Sequence, residues 1–243
     1  MDVDRLLAEL VQQGELLDRA AGLADPQAPV PSCPGWTIAS AIRHLARVHR
    51  RVTAIVRGQD PAAAIEGFRP EPPELTAIYR DGLTDLVQAL RDAPDDLRAD
   101  TLWPADSARQ FWARRQAHET AIHRADAERA AGEHPGYDPA FAADGVDELL
   151  FGFFAGSRGR LVADPAVRLG LRSIDSPDAW TMTIGPDGRE AERGTADADC
   201  TVSGPASELY LLLWNRTDAS RCQIDGDAAV LDLWREKAQI SWR

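Results

Sequence analysis

Apolar side chains recur every three or four residues through the first half of the chain, which predicts a series of amphipathic helices. The first runs from Asp4 to Leu23, with Leu6, Leu7, Leu10, Val11, Leu16, Leu17 and Ala20 along one side. Asp25-Pro26 and Pro31 end it. The turn Val30-Pro31-Ser32-Cys33-Pro34-Gly35-Trp36-Thr37 follows. Its prolines and glycine stiffen it, and Thr37 is placed to cap a second helix over 38–57, with Trp36 as a hydrophobic staple. Residues 59–73 read as a loop rich in Pro, Gly and Ala. Pro72 and Pro73 open a third helix, Glu74 to Leu90, carried by Leu75, Ile78, Leu83, Leu86, Val87 and Leu90. A loop over 95–107 leads to a fourth helix over 108–132, free of Pro and Gly until Gly132 stops it. Four such helices with modest connections make an antiparallel bundle, a fold in which facing helices build metal sites.

Past Gly132-Glu133-His134-Pro135-Gly136 the pattern changes, so the domain boundary is placed there, giving units of 1–135 and 136–243. Residues 138–156 read as one more helix. Short apolar runs then alternate with turns: Ala166–Leu171, Trp180–Ile184 and Cys200–Ser203 read as strands, and Glu190–Ala198 as an edge strand. Ser203-Gly204-Pro205 opens a helix through Leu213-Trp214, and Gly226-Asp227 precedes a last helix, Ala228–Lys237. Strands followed by helices make this half a small α+β domain, and the whole chain an α+β two-domain protein.

Composition narrows the function classes. A hydrophobic share of 44% supports a real core, and a mean hydropathy of −0.33 with no long uncharged apolar run argues against a membrane span. The net charge of −12 disfavours nucleic acid, whose phosphates need a basic face. The acidic start, Met1-Asp2-Val3-Asp4-Arg5, lacks the layout of a secretion signal, so a soluble cytoplasmic protein is expected. Cys33, Cys200 and Cys222 are odd in number and far apart, forming neither a disulfide framework nor a CxxC metal knuckle. They read as buried or idle thiols.

The fourth helix carries the candidate chemistry. Glu119 and His123 are four residues apart, an advance of about 400°, so their side chains point the same way and can share one divalent cation. The best third ligand is His44 on the second helix. Three protein ligands with a fourth position open is the pattern of a catalytic zinc. The competing readings are a solvated Glu119–His123 pair and a core histidine at position 44. His118-Glu119 is not the start of a His-Glu-x-x-His motif, because His123 comes one residue late and His118 and His123 lie about 140° apart.

Pro31-Ser32-Cys33-Pro34-Gly35-Trp36-Thr37 followed by His44-Leu45 resembles the N-terminal signature of the mycothiol-dependent maleylpyruvate isomerase family. Arg114-Arg115-x-x-His118-Glu119-x-x-x-His123-Arg124-x-Asp126 resembles its second signature. Asp199–Gly204, Leu211–Arg216 and Ile224-x-Gly226-Asp227 are similar to that family's second domain. The resemblance implies a DinB-like four-helix bundle holding a divalent metal, usually zinc, on His44, Glu119 and His123, and a C-terminal domain like the sterol carrier proteins. It also implies mycothiol as cofactor and a substrate-binding arginine for which Arg80 and Arg243 are the candidates; Trp36, a packing residue or a pocket wall by its place in the turn, is the candidate cofactor contact. Asp126 is a possible carboxylate support for a ligating histidine.

The chemistry so implied is thiol activation. The metal would stabilise the thiolate of the cofactor, which adds to the cis double bond of a maleyl group and leaves after rotation to the trans isomer. An S-transferase adding the same low-molecular-weight thiol to a small electrophile would need the same parts. A different class is a non-catalytic binding protein, with a small apolar ligand in the second domain and a metal that only stabilises the bundle. A zinc-containing anti-sigma regulator would require a CxxC pair, which is absent.

Overall fold

The structure, a computed structural model, describes residues 1–156 and 159–240 and divides into two units, Met1–Pro135 and Gly136–Arg243. The first is built on four long helices. Helix α1 (Val3–Leu23) starts at Asp2, whose carboxylate accepts the Arg5 amide, and buries Leu6, Leu10 and Leu17. Helix α2 (Ile38–Val56) starts at Thr37, which accepts the Ser40 amide as a cap of this type should. The loop expected over 59–73 contains a short helix, α3 (Pro61–Ile65), capped by Asp60 with Pro61 in its first turn. Helix α4 spans Leu75–Asp92, and α5 spans Ala108–Ala130 with Ser107 as its cap.

The directions of these helices fix where side chains can meet. Leu17 and Ala20 near the end of α1, Ile38 and Ile42 at the start of α2, Leu75 at the start of α4 and Ala127 at the end of α5 share one apolar cluster. Thus α1 runs parallel to α5, α2 runs parallel to α4, and the pairs oppose one another. Gln110 on α5 reaching the Met1 carbonyl, and Arg57 after α2 reaching Asp85 on α4, tie the other end in the same sense. α1 packs most heavily on α5, and α2 on α4.

Helix α5 is unusual in being buried almost all round from Arg115 to Glu128, despite two arginines, two glutamates, an aspartate and two histidines in that stretch. Charged side chains are seldom buried unless paired, and here Arg115–Glu119 and Arg124–Glu128 are i,i+4 ion pairs.

In the second unit, the single helix expected over 138–156 is two pieces. Helix α6 (Pro139–Asp147) passes into a π-helical segment, Glu148–Phe153. A five-stranded sheet follows, in the order β3-β2-β1-β4-β5. Its strands are β1 (Val167–Ser173), β2 (Ala179–Ile184), β3 (Arg189–Arg193), β4 (Cys200–Gly204) and β5 (Gln223–Gly226). β1 and β4 are parallel, with Leu171 opposite Val202, and the other pairs are antiparallel. Helices α7 (Ala206–Leu213) and α8 (Ala228–Lys237) flank β5 in sequence. Leu169, Leu171, Trp180, Met182, Val202, Leu209 and Trp234 form the apolar interior. Among the described residues no helix is long and apolar enough to cross a membrane.

Candidate metal centre

Because α2 and α5 are antiparallel, the second turn of α2 meets the middle of α5, and His44 is set against Glu119 and His123. One ligating atom from each lies within 4.8 Å of the others. His44 Nε2 is 2.9 Å from Glu119 Oε1, and His123 Nε2 is 3.6 Å from the same oxygen. Ligands 2.0–2.1 Å from a tetrahedral zinc stand about 3.3 Å apart, so the two separations bracket the value that such an ion requires. His44 is part-exposed while Glu119 and His123 are buried.

The remaining polar atoms of Glu119 and His123 are occupied. Arg115 Nη2 donates to Glu119 Oε2 at 2.9 Å. His123 Nδ1 donates to Asp126 Oδ2 at 2.9 Å, which leaves Nε2 free to face Glu119. Asp126 is fully buried, and the α1–α2 turn holds it: Ser32 Oγ donates to Oδ1 at 2.5 Å, and the Cys33 thiol lies 3.6 Å from Oδ2. The same turn delivers Trp36. Its ring stacks on His123 at 5.6 Å and 8°, and lies 5.1 Å from the His44 ring. Gly35 makes this approach possible, because its φ of +85° lies in the left-handed region that side chains disfavour.

Charge follows geometry. Burial works against the Glu119 carboxylate, but hydrogen bonds from His123 and His44 and the Arg115 charge outweigh it and hold its pKa well below the usual range. Burial likewise disfavours a charged His123, yet Asp126 and Glu119 raise its pKa to about 9. A cation at Nε2 therefore competes with a proton.

One layer further along, His49 is fully buried and its Nε2 pairs with Thr120 Oγ1 at 3.1 Å. Burial, only partly offset by Glu119, lowers its pKa to about 3. The folded protein keeps this ring neutral, whereas the unfolded chain protonates it below about 6.5. Stability from this residue is thus present above pH 6.5 and is lost as pH falls from there towards 3. The gap between 6.5 and about 3 corresponds to roughly 5 kcal/mol at its limit. Urea titrations of the metal-free protein between pH 7 and pH 4 are expected to show this loss, and His49→Gln, which does not titrate, to flatten it. An unchanged slope in the variant would refute the assignment.

The structure brings His44, Glu119, His123 and Trp36 together, and sets Asp126 on His123. Arg80 is elsewhere: its side chain is 61% exposed and pairs with Asp18 at 2.9 Å. Arg243 lies outside the described residues. His118 is buried on α5 but is not one of the three clustered residues. Cys33, which its sequence context left idle, touches the carboxylate behind His123. Arg115 and His49 were not singled out either. The i,i+4 spacing of Arg115 and Glu119 was a signal for the first, and nothing local signalled the second.

Comparison with known proteins agrees with this architecture. Residues 7–128 match the Mycothiol maleylpyruvate isomerase N-terminal domain, and residues 140–233 match the MDMPI C-terminal domain. Two crystal structures of the mycothiol-dependent maleylpyruvate isomerase, one of a His-to-Ala mutant, share the fold. Their TM-scores are 0.65 and 0.66, at 14% identity and over 93% of both chains. No curated protein sequence matches the chain. With both halves matched by the two domains of one family, in the order that family has them, the chain belongs to the mycothiol maleylpyruvate isomerase family.

Proposed function

We propose that this protein is a divalent-metal enzyme that uses mycothiol to act on a small electrophile, as a cis–trans isomerase or an S-transferase. The observation that carries the reading is the convergence of His44, Glu119 and His123 from two antiparallel helices onto one point. Two imidazoles and a carboxylate, close enough to meet at one ion and with His44 part-exposed, suit zinc with an open position. Zinc held there would stabilise the thiolate of a bound thiol.

The chain's own residues do the rest. Glu119 stays ionised without a metal, so its carboxylate is ready for a cation, which must displace the proton held on His123. Asp126 fixes the His123 tautomer that presents Nε2. Trp36 supplies a flat apolar wall beside both histidines, against which part of the cofactor or substrate would pack and exclude water.

Metal analysis of protein purified without chelator, followed by calorimetry with mycothiol, tests this. About one zinc per chain, with mycothiol binding that vanishes when zinc is removed, is the expected result and would lead to assays with maleyl and other electrophilic substrates. Absence of metal even after zinc is supplied would overturn the proposal. Zinc without thiol binding would favour a metal-stabilised binding protein.

A further inference from the structure

The two α5 ligands each have two atoms that could bind a metal, and each has one already taken by a buried partner. For His123 the partner is Asp126 on Nδ1. For Glu119 it is Arg115 on Oε2, at 2.9 Å. Arg115 is 1% exposed, so water offers its guanidinium no competing contact at this point. Both His44 and His123 converge on the other oxygen, Oε1. The carboxylate is thus divided, with one oxygen facing the histidines and the other facing the arginine.

A carboxylate can bind a cation through one oxygen or both. With both, Glu119 would occupy a second coordination position, and three residues would fill four places. With Oε2 committed to Arg115, Glu119 supplies a single oxygen and the fourth place stays available to an exogenous ligand. We propose that Arg115 is a positioning residue that restricts Glu119 to one ligating oxygen and so keeps the coordination shell open. The guanidinium suits this task better than an ammonium because its donors lie in a fixed plane and its charge persists when buried. The inference rests on the metal-centre reading above and adds to it a residue that decides how many positions the protein leaves free.

Cobalt(II) in place of zinc reports the coordination number, because four-coordinate cobalt absorbs far more strongly in the visible than five- or six-coordinate cobalt. Cobalt-loaded wild type is expected to show the intense four-coordinate band, and a sulfur-to-cobalt charge-transfer band when 2-mercaptoethanol is added. Arg115→Met should still bind one cobalt per chain and stay four-coordinate, now through both carboxylate oxygens, and should give no sulfur-to-cobalt charge-transfer band at a thiol concentration that saturates the wild type. Arg115→Lys keeps the buried charge without the fork and should move in the same direction. It also serves if the methionine variant does not fold. X-ray absorption on the zinc-loaded wild type gives an answer that needs no variant, namely one oxygen from the carboxylate. A bidentate carboxylate in the wild type, or variants with the wild-type thiol response, would overturn the role of Arg115. Failure of the wild type to bind cobalt or zinc at all would instead sink the metal centre itself.

Discussion

Replacing His123 by alanine is expected to abolish stoichiometric zinc binding while leaving the helical dichroism nearly unchanged. The first half of that expectation follows from ligand count. His44 and Glu119 alone give two donors, and zinc sites of either kind use at least three protein ligands. The second half follows from what surrounds the ring. Alanine is the best helix former, so α5 gains local propensity. Asp126 keeps Ser32 and Cys33 as partners when His123 is gone, so no buried carboxylate is orphaned. His44→Ala should behave alike. Asp126→Asn should be graded: the ligands remain, but the charge that orients His123 is lost, and zinc affinity should fall by about 10–100-fold. Metal content by mass spectrometry, with a chromophoric chelator for affinity, separates the three. Full zinc content in either histidine variant would refute the assignment.

In the second unit a large loss of stability is expected at Gly226→Ala. Gly226 closes β5 opposite Cys200 and has a φ of +92°. A Cβ there would lie 2.2 Å from the Asp199 carbonyl oxygen and 3.1 Å from its carbon. These are backbone atoms, and the same oxygen accepts the Asp227 amide at 2.7 Å. Asp227 in turn caps α8. Relief of the clash therefore displaces the start of α8 together with the end of β5. Left-handed torsion costs about 1–2 kcal/mol and overpacking about 1–3 kcal/mol, so roughly 2–5 kcal/mol is expected. Gly194→Ala is the matched control. It shares a positive φ of +98° but has nothing within 4 Å of the added carbon, so only the torsional part, about 1–2 kcal/mol, should appear. Equal melting temperatures for the two variants would show that the steric argument fails.

What could be read from the sequence was what is local. Thr37 as a cap, the apolar stripes of α1, α2 and α4, and the Glu119–His123 pair all follow from neighbours a few residues apart. The meeting of His44 with Glu119 and His123 was reachable because facing helices of a bundle can bring side chains to one point, and the family signatures pointed to the same residue. The short helix α3 hid among loop-forming residues, its only signal being Asp60 before Pro61. β5 escaped because all of its residues are exposed, so no alternation marks it. The π-helical Glu148–Phe153 has no pattern that separates it from a continuing α-helix. The contacts of Ser32, Cys33 and His49 were invisible for another reason: each joins residues 71 to 94 positions apart.

The pairing of α1 with α5 bears on when the protein can fold as it is made. Within this unit, the helix that is made first packs most heavily on the one made last. Synthesis of everything up to Ala130 must be finished before α1 gains that partner. At about 5–20 residues per second, the apolar face of α1 waits several seconds or more without it. His44 waits equally for Glu119, 75 residues later. The candidate metal centre thus belongs to the end of the unit's synthesis, and a cation arriving earlier would find no assembled site.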